Sequence, residues 1–110
     1  MTAPDLPAPL RPLPGGSLAT PSIGEAQARL REAGVDPLVW SNAAGDRYAA
    51  HEHGYTKLLV CASGSITFLI GEAETPVELV AGEGFELSPG TRHAAIVGPD
   101  GCTCVEGHRP

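Results

Sequence analysis

From Val35 onward the chain is cut into short apolar runs by turn-forming residues, and this punctuation decides what it can fold into. Gly45, Gly54, Gly64, Gly71, Pro76, Gly82, Pro89-Gly90 and Pro99-Asp100-Gly101 recur too often for a long helix to propagate past them. Between them lie Leu38-Val39-Trp40, Tyr48 to His53, Lys57 to Ala62, Ser65 to Ile70, Val77 to Val80, Phe85 to Leu87, Ala94 to Val97 and Thr103 to Glu106. Short strands at nearly even spacing are what an all-β barrel or sandwich needs. Asn42 to Asp46 reads as a turn and Ser63-Gly64 as a tight hairpin connection. No internal repeat shows beyond this alternation.

The beginning of the chain reads differently. Residues 1–21 carry Pro4, Pro7, Pro9, Pro12, Pro14 and Pro21 with Gly15-Gly16, a composition that cannot keep a helix and offers little to bury, so a flexible, disordered Pro-rich arm is expected. Residues 22–110 then form one domain, with a short helix over 22–34 and a barrel over about 38–106. Ser22-Ile23-Gly24-Glu25 has the form of a capping box, and Ile23, Ala26, Leu30 and Ala33 recur at helical spacing. Gly34 supplies the left-handed stop. The helix charges Glu25, Arg29, Arg31 and Glu32 read as a solvated face.

Thirteen acidic against seven basic side chains give a net charge of −6 and leave no basic field for a nucleic-acid backbone. No apolar run approaches a membrane span and the amino terminus lacks a signal-like pattern, so a cytoplasmic protein is expected. Three cysteines do not make a disulfide framework, and reduced thiols are the default.

The chemistry gathers at His51-Glu52-His53. On an extended strand, side chains at i and i+2 share a face, so both imidazoles can reach one ion while Glu52 turns away. His93, just past the Ser88-Pro89-Gly90 turn, can join them from a neighbouring strand. Three neutral nitrogens with positions left open make a catalytic-type transition-metal site. Lys57 is the anomaly, because an ammonium cannot ligate while protonated and repels a nearby cation. Either it snorkels to the barrel mouth, or it anchors the anionic end of a bound substrate. Cys61 follows it on the same strand face. Cys102 and Cys104 share a face, which on its own is a weak ligand signal. Glu86 is a weak candidate for a base, Trp40 reads as core or subunit contact, and His108 receives no role.

Two stretches together resemble the cupin superfamily. Its first motif reads Gly, five residues, His-x-His, three or four residues, Glu, six residues, Gly; here Gly45, His51, His53, Lys57 and Gly64 stand in that register. Its second reads Gly, five residues, Pro-x-Gly, two residues, His; here Gly82, Ser88-Pro89-Gly90 and His93 do so. Lys57 replaces the usual carboxylate ligand, Ser88 the first proline, and Val97 the final Asn. The resemblance implies a small antiparallel jelly-roll barrel with His51, His53 and His93 inside, binding a divalent transition metal: Fe2+ first, with Zn2+, Ni2+ or Mn2+ as alternatives. It also implies a homodimer, for which Trp40 and Ile23 are contact candidates.

Two function classes fit. In the first the chain is an enzyme, a dioxygenase or isomerase in which His51, His53 and His93 hold the ion and Lys57 anchors a small anionic or chelating substrate. In the second it is a non-catalytic small-ligand binder, with or without metal.

Overall fold

The computed structural model describes residues 6–8 and 10–109. Chain order runs β1 (Arg11–Pro12), α1 (Ile23–Glu32), β2 (Leu38–Asn42), β3 (Arg47–His51), β4 (Thr56–Ile70), β5 (Thr75–Val80), β6 (Gly84–Leu87) and β7 (His93–Arg109). All pairings are antiparallel, and the hydrogen-bonded order is β1-β6-β4-β7-β2, with β3 also on β7 and β5 also on β4. The ladder does not close on itself. This is the all-β, one-helix architecture that the punctuation foretells, in the form of a jelly roll.

Two long strands carry it, and here the sequence misleads. Ser63-Gly64 is not a hairpin connection: β4 runs straight through it, and β7 runs through Pro99-Asp100-Gly101. The two strands pair from Thr56↔Arg109 to Ile70↔His93, with register shifts between Cys61 and Ser63 and between Gly64 and Ile66. Those shifts are bulges that bend the ribbon. Gly64 sits at φ 73°, and a Cβ there would lie 2.0 Å from the carbonyl oxygen of Gly101, so only glycine fits the crossing. On one side of the bend β4 pairs with β6, and on the other with β5. Likewise β7 pairs with β2 at its end and β3 at its start.

Folding the ribbon over makes the core. Leu59, Cys61, Phe85, Leu87 and Cys104 from one side meet Ile66, Phe68, Val77, Leu79 and Val97 from the other. Phe68 and Phe85 touch edge to face at 5.1 Å between ring centroids. Alternate residues on β4, Leu58, Val60 and Ala62, point the other way and pack with Val105 under Ala26 and Leu30 of α1. Both faces of this half of β4 are therefore buried, which is why it reads as an unbroken apolar run.

The helix is shorter than expected, because Ser22 is its cap, accepting from the Glu25 N–H at 3.0 Å, and Ala33 ends it. Ile23 stays 44% exposed and takes no part in the packed face. The disordered arm needs correction from Leu10 onward; Met1 to Asp5 and Pro9 lie outside the described residues. Arg11 and Pro12 pair with Glu86 and Phe85, and the Leu18 N–H donates to Gly82 O at 2.7 Å. Arg29 Nη1 donates to the carbonyls of Pro14 and Gly16. The physical reason is Leu10, Leu13 and Leu18, all buried, worth roughly 2 kcal/mol each and outweighed in the composition by the prolines around them.

Candidate metal centre and its cavity

β3 stops at His51, whose register partner on β7 is His93. His53 lies beyond the strand, so strict alternation does not place it; a backbone bond does. The Gly90 N–H donates to His53 O at 2.8 Å, tying the turn before His93 to the segment after His51. The three rings then converge, with centroids 4.3 Å apart for His51 and His93, 4.7 Å for His51 and His53, and 5.2 Å for His53 and His93. One ring nitrogen from each lies within 4.8 Å of the others.

The outer nitrogens are occupied. His51 Nδ1 bonds Ala49 O at 2.8 Å and His93 Nδ1 bonds Thr91 O at 2.9 Å. A carbonyl only accepts, so both Nδ1 atoms carry the proton and both Nε2 atoms keep a lone pair. His53 Nδ1 meets the Tyr55 hydroxyl at 3.1 Å. Nε2 of His53 and of His93 are buried with no partner among the described residues. Leaving such an atom unpaired costs about 1–3 kcal/mol, and a cation among three lone pairs removes that cost. Burial first, opposed by the Thr91 bond and reinforced by His51, Lys57 and His53, brings His93 down to about 4. Burial, followed by Lys57 and His51, lowers His53 as well. Neutral imidazoles are what ligation requires, so the residues fit a divalent ion.

Lys57 does not reach the solvent. It is 8% exposed, on the inward face of β4 with Leu59 and Cys61, and its Nζ lies 3.4 Å from Glu106 Oε1. Glu106 was not legible as a site residue, yet it gathers three donors: Lys57, Trp40 Nε1 at 2.5 Å and His108 Nε2 at 2.9 Å. Burial would raise the Glu106 carboxyl, but Lys57, His108 and Trp40 outweigh it and hold it below its ordinary value. His108 also stacks on Tyr55 at 4.0 Å, and Tyr55 on His53 at 4.8 Å. The signal for Glu106 and His108 was present: alternation from Cys102 and Cys104 puts both on the inward face of β7.

Triad and ion pair line one cavity of about 170 Å³, walled by Trp40, Tyr48, Ile66, Phe68 and Ala95. Trp40 is thus a cavity wall, its N–H turned in to Glu106. A larger cleft of about 370 Å³, along Gly34 to Leu38 and Gly107-His108, shares Glu106 but brings together no comparable set of ligands. Glu86 lies outside the cavity, bonded to Arg109 at 2.8 Å. Cys61, Cys102 and Cys104 are buried free thiols in the core, with Cys102 and Cys104 sulfurs 4.0 Å apart.

Comparison with solved structures supplies the fold. An RmlC-like cupin from Shewanella frigidimarina superposes with TM-score 0.61 at 18% identity, over 69% of this chain and 66% of that one. The chain has the cupin fold. A conserved protein with a double-stranded β-helix domain from Klebsiella pneumoniae matches this cupin at 26% identity and TM-score 0.60, over 67% and 65% of the two chains. The DMSP lyase DddQ from Ruegeria pomeroyi matches it at 23% identity and TM-score 0.61, over 67% of this chain and 37% of the lyase. The cupin therefore spans about two thirds of the first two proteins and little more than a third of the lyase. No protein-family profile matches it, and no curated protein does. Among the described residues, no helix is long and apolar enough to cross a membrane.

Proposed function

We propose that this cupin binds a divalent transition metal, Fe2+ first, through His51, His53 and His93, and acts on a small anionic or chelating molecule in the adjoining cavity. The observation that carries this reading is the pair of buried, partnerless Nε2 atoms on His53 and His93 beside His51. When bound, the ion supplies Lewis-acid polarisation and, for iron, open positions for dioxygen. The protein's own part is to keep His53 and His93 neutral, hold the tautomers of His51 and His93 through Ala49 and Thr91, and present Lys57 to the ligand. Ile66, Phe68 and Ala95 give the cavity its apolar wall.

The test is elemental analysis of untagged protein from metal-supplemented cells, beside His93→Ala. Stoichiometric metal that vanishes in the variant is expected, followed by oxygen consumption with small diketones or thiols. A second reading, a non-catalytic binder that needs no ion, is favoured by one feature: Lys57 stands where a carboxylate ligand belongs and already pairs with Glu106. Protein that neither carries nor takes up metal, yet binds small anions, would establish it.

A further inference from the structure

Counting donors and acceptors at the ion pair defines the ligand more narrowly. An ionised carboxylate offers about four lone-pair sites. Three on Glu106 are taken, two at Oε1 by Trp40 and Lys57 and one at Oε2 by His108. Lys57 has three N–H donors and a single partner among the described residues, Glu106. The ammonium therefore has two donors to spare and the carboxylate almost no acceptor. In charge, however, the pair sums to zero, and among the described residues no other charged side chain than these two joins the imidazoles on the cavity wall.

We infer that Glu106 sets the charge selectivity of the cavity: it admits a small monoanion whose far end is a neutral acceptor such as a carbonyl or hydroxyl, and rejects a dianion of the same size. A neutral oxygen at that end takes the spare N–H groups of Lys57. A second carboxylate there takes the same N–H groups but lies beside a fixed carboxylate that shares the ammonium, and like-charge juxtaposition is the usual device for turning away a wrong partner. Size agrees, since a cavity of about 170 Å³ admits only a small molecule. The orientation of the ligand, anionic end at the triad, rests on the metal reading above; the discrimination at Lys57 and Glu106 does not.

Acetoacetate and malonate are a matched pair, equal in heavy atoms and different by one charge. Their dissociation constants are measured on the full chain, with and without one equivalent of zinc, for wild type and Glu106→Gln. Differences in intrinsic chelation cancel in the comparison. Glu106→Gln is expected to tighten malonate about tenfold while changing acetoacetate by less than about threefold. An equal response of the two anions, or weaker malonate binding, overturns the assignment. If neither zinc nor Fe2+ is taken up, the metal reading falls by itself, and the metal-free titration decides Glu106 by the same criterion. Should Glu106→Gln fail to fold by circular dichroism, Lys57→Met decides instead. With Glu106 left unopposed, malonate must lose more affinity than acetoacetate, and equal losses overturn the inference.

Discussion

His93 is the residue on which the cavity turns, because burial makes it refuse a proton that the unfolded chain accepts. Its folded value of about 4 lies below the ordinary 6.5, so the metal-free protein loses stability as pH falls from about 6.5 toward 4 and gains nothing above that window. Denaturant midpoints of chelator-treated protein should fall from pH 7 to pH 4.5, and His93→Gln should flatten that part of the profile; an unchanged slope in the variant contradicts the assignment. Tyr55 works at the same scale. Tyr55→Phe removes the hydroxyl at His53 Nδ1 but keeps both ring stacks, so metal affinity should drop about tenfold or more with little loss of stability. Competition with a metallochromic chelator reads it out. The three histidines and Lys57 were legible because spacing alone carries them. Glu106, Tyr55 and His108 were not singled out, since no motif marks them and each gains its place only once the strands bring Lys57, His53 and Trp40 around the cavity.

Among the elements, β4 and β7 show why short-range signals fail. Two residues between apolar runs look the same whether the chain turns back or bends onward, and only the pairing of Gly64 with Cys102 across the ribbon decides. Gly64→Ala should therefore be severe, because its φ of 73° is compounded by a Cβ 2.0 Å from Gly101 O. About 3 kcal/mol or more is expected. Gly71, at φ 75° with nothing within 4 Å of an added Cβ, is the control, and Gly71→Ala should cost only about 1–2 kcal/mol. Urea denaturation of the two variants separates steric conflict from backbone strain; equal losses would deny the close crossing. The helix was readable from its cap and its Ala26-Leu30 face, and missed only at its ends. β3 was readable as a strand but overextended, because the bond from Gly90 that takes over at His53 is invisible in a linear pattern.

For the molecule as a whole, the amino-terminal segment belongs to the fold. Removing residues 1–20 should expose the surface under Leu13 and Leu18 and cost several kcal/mol, whereas a free arm would leave the denaturation midpoint unmoved. The opposite edge is open. β2 ends the ladder with Leu38 62% and Val39 38% exposed, and we expect a second copy to cover it; sedimentation equilibrium showing monomer throughout would refute that. One consequence of the bulged ribbon reaches further than stability. His93 and Glu106, which both line the cavity, stand on the same strand, and residues 98–101 bulge between them. The bulge acts as a spacer: adding or removing a residue there changes the reach between His93 and Glu106, and with it, under the proposed function, the length of molecule that both can contact. A change of spacing within this one strand thus leaves the side chains on the cavity wall as they are.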